Sequence, residues 1–208
     1  MFPNFDRKKH VITAAWVRQQ VSNGNLRWKK FTCGVDTAYS SKSPDTIAIL
    51  FQGITEDRKL ITLAEKVYNN ANLETPLAPS DTAVKLVAFL EQCRKDWGFA
   101  KDVYVDNADQ ATMTELKKYK RLKGCMYNFW DAYKKLEILD RINLQLGWIQ
   151  QGCYLVVDDC PEHLTEMEKY SWDETKDRPE DRNDHTVNAN QYGWIPYRGL
   201  IGFEEEKK

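Results

Sequence analysis

The links between the first three β-rich runs are too short to hold a helix. These runs are Phe31-Thr32-Cys33-Gly34-Val35-Asp36, Thr46-Ile47-Ala48-Ile49-Leu50-Phe51, and Lys59 to Tyr68. Only the polar loop Ala38 to Asp45 and the segment around Thr55-Glu56-Asp57-Arg58 separate them. Parallel pairing of successive strands needs a crossover of a dozen or more residues, so these three are expected to pair antiparallel. The period then changes. A helix is expected with Ser80 as N-cap, Val84, Val87 and Leu90 along it, and Gly98 as the stop. A fourth strand, Val103-Tyr104-Val105-Asp106, precedes a helix near Ala111 to Tyr119 and a fifth strand over Gly124 to Phe129. A long helix follows, with Leu136, Leu139, Ile142, Leu146 and Ile149 on one face. Two more helices are expected, over Pro161 to Tyr170 and from near Asp184. Val11 to Val21 fits either a short helix or an extended strip, and Asn23-Gly24-Asn25 is a turn signal.

Three antiparallel strands followed by α-β-α-β-α is the order of a ribonuclease H-like fold: an α/β mixed sheet with helices on both faces. A dinucleotide-binding fold would place a helix directly after the first strand, with GxGxxG, and neither is present. Nor is there a GxxxxGK followed by Ser or Thr, so the sequence holds no P-loop. A length of 208 residues suits one domain. Residues 1–30 read as an N-terminal extension or extra strands, and 203–208 as a frayed tail. Apolar runs are short and interrupted, and the start lacks the basic and apolar regions of a signal peptide. Five cysteines without a CxxC pair read as buried, reduced thiols, which argues against a zinc site.

Three acids fall where expected elements begin or end. Asp36 and Asp106 close strands, and Asp184 opens the helix Asp184-His185-Thr186-Val187-Asn188-Ala189. Carboxylates drawn from two strand ends and a late helix into one place repel one another. A divalent cation with oxygen ligands relieves that repulsion, and such a cation commonly handles phosphate. Taken singly, each acid has an ordinary alternative. Asp36 and Asp106 serve as turn residues, Asp184 as a helix N-cap, and Asp109 as the cap of the helix after the fourth strand. Their joint placement in this strand order is what favours a site. A net charge of −1 does not by itself announce a nucleic-acid binder. The basic clusters Arg27, Lys29, Lys30 and Lys117, Lys118, Lys120, Arg121, Lys123 read as solvated faces, or as contacts to a phosphate backbone if the acids hold metal. Trp28, Trp130, Trp148, Trp172 and Trp194 are taken as core or hinge residues, because cutting a duplex does not need unstacked bases.

Several strings carry a resemblance. Gly34-Val35-Asp36-Thr37-Ala38-Tyr39 with Asp45-Thr46, then Tyr104-Val105-Asp106-Asn107-Ala108, and Asn183-Asp184-His185-Thr186-Val187-Asn188-Ala189-Asn190-Gln191-Tyr192 resemble the C-terminal nuclease domain of the large terminase subunit of tailed bacteriophages. Phe2-Pro3-Asn4-Phe5, Lys134 before the long helix, and Glu166 to Trp172 agree, so the similarity runs along nearly the whole chain. The resemblance implies a metal-dependent endonuclease that cuts concatemeric double-stranded viral DNA during genome packaging. Little sequence preference is expected, since phosphate contacts hold no sequence information. It implies that Asp36, Asp106, Asp184 and His185 hold two divalent cations, Mg²⁺ or Mn²⁺, about 3.5–4 Å apart across the scissile phosphate. His185 is then a ligand, an orienting group or a proton shuttle.

Asn188 stands where relatives often carry the second Asp of an Asp-His-x-x-Asp-Ala string. It offers a carbonyl oxygen without charge, so either one metal binds weakly and activity is reduced, or Asp184 takes over the position. Asp45 is either an additional carboxylate near the metals or a turn residue after Pro44. Lys134, Lys42, Lys117, Lys118 and Arg121 are the implied DNA contacts. The implied partners are the terminase ATPase domain, the small terminase subunit and the portal protein, in the host cytoplasm. With no P-loop present, the expectation is that Met1 opens a domain separated from that ATPase. Two alternatives stay open. One is a resolvase or transposase-type nuclease of the same fold; the other is a catalytically weakened DNA-binding or motor-docking module, which Asn188 supports.

Overall fold

The computed structural model describes residues 2–38, 46–106, 108–173, 178–179 and 184–203. Lys42, Asp45, most of the charged segment before Asp184, and residues 204–208 of the expected tail 203–208 lie outside the described residues. In chain order the elements are α1 (Arg7–His10), β1 (Val11–Ile12), α2 (Ala14–Ser22), β2 (Trp28–Ala38), β3 (Thr46–Thr55), β4 (Leu60–Asn69), α3 (Pro79–Asp96) and β5 (Asp102–Val105). Then come α4 (Gln110–Lys123), β6 (Asn128–Asp131), α5 (Ile138–Gln150), β7 (Tyr154–Val157), α6 (Pro161–Lys169), α7 (His185–Trp194) and a closing 3₁₀ turn, Ile195–Leu200.

Seven strands form one sheet in the order β1-β7-β4-β3-β2-β5-β6. The short links make β2, β3 and β4 an antiparallel meander, as the sequence requires. β5 then pairs parallel with β2 and β6 with β5, while β7 pairs parallel with β4 and β1 with β7. Side chains alternate across the sheet. Cys33, Val35, Ile47, Ile49, Val103, Val105, Leu155 and Val157 face α2, α3 and α4. Ile54, Leu60, Tyr154 and Val156 face α5, α6 and α7. The expected ribonuclease H-like order is therefore present, with helices on both faces.

Several expectations are corrected. β7 was not foreseen, because its four residues are buried on both faces and show no alternation to read. The ambiguous segment 11–21 divides into an edge strand, Val11–Ile12, and α2, capped by Thr13 Oγ1 accepting from Trp16 N at 3.1 Å. α3 starts at Pro79 rather than after Ser80, with Ala78 as N-cap and the Asp81 carboxylate accepting from Ala78 N at 3.2 Å. The fifth strand begins at Asn128, since Gly124 instead ends α4 in the left-handed conformation, φ 68°. Leu139 is exposed, and the buried residues of α5 are Arg141, Ile142, Gln145, Trp148 and Ile149. Trp148 and Trp194 are core residues in edge-to-face contact, centroids 4.7 Å apart, but Trp130 is 51% exposed and not core. Four of the five cysteines are buried, Cys125 is half-buried, and all five are free thiols.

Candidate functional site

Parallel pairing sets Val35 opposite Val105, so Asp36 and Asp106 lie side by side. Asp106 stands just past the end of β5, but Asp36 does not close its strand as expected, because β2 stays paired with β3 for two more residues, to Ala38. The Asp106 N–H fixes that level by donating to Val35 O at 2.9 Å. Helix α7 is pressed onto the same face. A Cβ at Gly34 would stand 1.8 Å from Ala189 O and 2.5 Å from Gly193 N, so only glycine permits this approach. Gly193 is equally confined, with a hypothetical Cβ 2.5 Å from Gln52 Oε1. Buried polar bonds hold the helix down across the meander. Thr32 Oγ1 donates to Gly193 O at 2.8 Å, Gln52 Nε2 to Asn190 O at 2.8 Å, and Asn190 Nδ2 to Thr62 Oγ1 at 2.7 Å. The first turn of α7 thereby lands on the strand ends.

There, His185 Nδ1 lies 3.1 Å from Asp36 Oδ2. Asp36 is 4% exposed, and burial pushes its carboxyl up to about 7 despite the hydrogen bond and charge of His185; Asp106 and Asp184 push it the same way. The hydrogen bond to Asp36 raises His185, against burial, with Asp184 and Glu166 adding to the rise. Asp106 Oδ1 accepts from Ala108 N at 2.8 Å and Lys134 Nζ at 2.5 Å, and its Oδ2 accepts from Tyr192 OH at 3.4 Å. Asp184 sits at the N-cap position of α7 without making a side-chain cap bond. Its Oδ2 accepts from Asn188 Nδ2 at 3.0 Å. The capping role falls to Glu166 of α6, whose Oε2 accepts from Thr186 N at 2.7 Å, Thr186 Oγ1 at 2.5 Å and Val187 N at 3.4 Å. Asp109, by contrast, is an ordinary cap, accepting from Thr112 N at 2.9 Å.

No family model and no curated protein matches this sequence. Solved structures do. The large terminase of the thermophilic bacteriophage D6E aligns at TM-score 0.72 and 21% identity over 97% of this chain and 45% of that one. The P22 large terminase nuclease domain aligns at TM-score 0.64 and 11% identity over 95% of this chain and 91% of that domain. The fold is that of a large-terminase nuclease domain. The human cytomegalovirus terminase nuclease domain, soaked with Mn, extends the likeness at TM-score 0.56 and 8% identity, over 80% of this chain and 82% of that one. The chain spans less than half the length of the D6E terminase, at 45%.

In this terminase-nuclease fold the residues expected at the site divide clearly. Asp36, Asp106, Asp184, His185 and Asn188 are gathered at one end of β2 and β5, and Lys134 reaches Asp106. Lys117, Lys118 and Arg121 are exposed on α4, which packs on the opposite face of the sheet, and Lys118 Nζ lies 3.2 Å from Glu115. The fold does not bring those three to the acids. Among the described residues, no three His, Cys, Asp or Glu side chains stand close enough, as placed, to hold an ion between them. The donor chemistry still fits a hard cation, with three carboxylates and an amide oxygen, and burial disfavours the charged form of one of those carboxylates, Asp36. Glu166, Tyr192 and Arg141 were not assigned site roles from sequence. Tyr192 and Glu166 lie within strings that carried the resemblance. Arg141 falls one helical turn before Gln145, on the inner flank of an apolar helix.

Proposed function

We propose that this chain is a divalent-metal-dependent endonuclease domain of a viral DNA-packaging motor, cutting concatemeric double-stranded DNA with little sequence preference. One observation carries the reading: Asp36, near the end of β2, and Asp106, just past the end of β5, lie side by side beneath the first turn of α7, with Asp184 and His185, in a fold shared with 91% of the P22 nuclease domain. Asp36, Asp106 and Asp184 would hold divalent cations, with the Asn188 carbonyl as an uncharged addition. Mg²⁺ or Mn²⁺ suits these oxygen donors, and the Mn-soaked cytomegalovirus domain supports Mn²⁺. When bound, such cations lower the pKa of a coordinated water and offset charge on the phosphoryl oxygens.

The chain's own groups set the stage for that chemistry. His185 fixes the Asp36 carboxylate through Nδ1 and leaves its other ring nitrogen to hold a proton. Lys134 Nζ balances Asp106 and offers a cation to a backbone phosphate arriving at the same edge. The proposed partners are duplex DNA, a terminase ATPase domain, the small subunit and the portal, in the host cytoplasm. No helix among the described residues is long and apolar enough to cross a membrane.

Plasmid cleavage by the chain in Mn²⁺, Mg²⁺ and EDTA tests the reading, with Asp36→Asn and Asp106→Asn alongside. Metal-dependent nicking and linearisation, lost in both variants, supports it; intact plasmid in every metal rejects the catalytic reading. One observation favours a second reading, a weakened DNA-binding or motor-docking module: Asn188 donates to Asp184 instead of adding a charged ligand. That reading predicts duplex binding that persists in EDTA, no cleavage in Mn²⁺, and cleavage gained in Asn188→Asp.

A further inference from the structure

Among the described residues, Arg141 is a buried cation with no hydrogen-bond or ion-pair partner. The residue is 9% exposed, and its Nε and Nη1 are buried with no hydrogen bond. A buried guanidinium that lacks both counterion and acceptor is strongly unfavourable, so native proteins nearly always pair one. The packing of α5 against α7 locates it. Trp148 meets Trp194, and one turn earlier Gln145 Oε1 accepts from Gln191 Nε2 at 3.4 Å, so the two helices run alongside in the same direction. One further turn back along α5 stands Arg141, on the buried side of that helix. Its charge is felt at the Tyr170 phenol, which Asp184 also reaches, and at the Tyr192 phenol, which donates to Asp106.

The described carboxylates nearby are engaged elsewhere. Asp36 meets His185, Asp106 meets Lys134 and Tyr192, Asp184 meets Asn188, and Glu166 meets the start of α7. A guanidinium held among engaged acids matches an oxyanion that arrives from outside. Its planar fork suits two oxygens of a phosphodiester. We propose that Arg141 is an oxyanion subsite of the acidic end, contacting a non-bridging oxygen of the DNA backbone beside the bond to be cut. This rests on the nuclease reading above and adds a positioning role for a residue outside the acid set. It also accounts for an arginine on the inner face of α5, beside Ile142, Gln145 and Trp148.

The test compares wild type, Arg141→Met and Arg141→Lys for binding of a short DNA duplex in Ca²⁺ and in EDTA across a salt series, with melting temperature and calorimetric Mn²⁺ affinity. Loss of one backbone contact in Arg141→Met is expected to weaken binding about tenfold and to lower the salt slope by about one. Arg141→Lys is expected to keep the slope and recover part of the affinity, since the charge stays while the fork is lost. Arg141→Met is also expected to melt no lower than wild type, because an unpaired buried charge is removed. The subsite is overturned if duplex affinity and slope are unchanged while Mn²⁺ affinity shifts, which would make Arg141 a counter-charge for the acids. A lowered melting temperature with unchanged DNA binding would likewise overturn it in favour of a purely structural role. Binding needs no cleavage, so a wild type that binds duplex but never cuts would sink the nuclease reading and still decide the subsite.

Discussion

Strand β5 has a carboxylate at each end, and the two live under opposite rules. Asp102, at its start, accepts from Trp130 Nε1 at 3.0 Å, Lys30 Nζ at 3.1 Å, Asn128 Nδ2 at 3.2 Å and Tyr197 OH at 3.3 Å. Burial works against its charged form, yet the bonds from Trp130, Lys30 and Asn128 prevail and hold its carboxyl down at about 2. Just past the other end stands Asp106, beside Asp36, whose carboxyl rises to about 7 because burial outweighs the one imidazole facing it. The first cluster is a finished structural joint. In the second, burial outweighs the hydrogen bond that Asp36 receives, and a carboxyl left in that state suits a cation from outside.

Neutralising acids at the two ends should therefore separate chemistry from stability. Asp36→Asn or Asp106→Asn is expected to reduce metal-dependent plasmid cleavage by more than the roughly 100-fold cost of losing an outer-shell partner. Asp102→Asn should leave cleavage within a few fold while lowering the melting temperature. Equal losses at both ends would erase the contrast. Gly34→Ala attacks the means by which one end is assembled. It should destabilise the fold by about 1–3 kcal/mol in urea unfolding, and with α7 pushed off β2 the cleavage activity should fall with it.

Asn188→Asp sharpens the contrast by adding a fourth carboxylate to the acidic end. Mn²⁺ affinity by calorimetry should tighten about tenfold or more, and the metal-free protein should melt lower, since the bond from Asn188 Nδ2 to Asp184 becomes a repulsion. The smallest effect is the sign of two pH slopes, read by metal-free urea unfolding. Asp36 is raised from 3.8 to about 7, so its contribution is full below about pH 4 and is lost as pH rises through about 7. Asp102 is lowered from 3.8 to about 2, so its contribution is present above about pH 4 and is lost as pH falls through about 2. The Asn variants should flatten opposite limbs of the stability profile.

The sequence exposed the acidic end better than it exposed what holds that end together. Asp36 and Asp106 were readable because each terminates an apolar β-run, and short links fixed the pairing of the first three strands. β7 was not, since a run buried on both faces has no period. Nor was the Gly34–Gly193 approach, because closeness between a strand glycine and a helix glycine far along the chain has no local signature. Arg141 was hidden by the expected stripe through Leu139, which is 46% exposed. Placing Ile142, Gln145 and Trp148 inward turns that stripe and brings Arg141 with it. Trp130 misled for the reverse reason: its indole N–H is held by Asp102 while its ring remains half in solvent.

The bond from Glu166 to the start of α7 has an electrostatic consequence. A helix projects from its first turn a field equivalent to about half a positive elementary charge. α7 opens beside Asp36, so an uncancelled helix dipole would repel a cation approaching that corner. Glu166 reaches across from α6 and sets a carboxylate on the Thr186 and Val187 N–H groups, opposing the dipole at its source. The potential over the strand ends is then governed by Asp36, Asp106 and Asp184, and a neighbouring helix has tuned the field for a cation without needing to touch it.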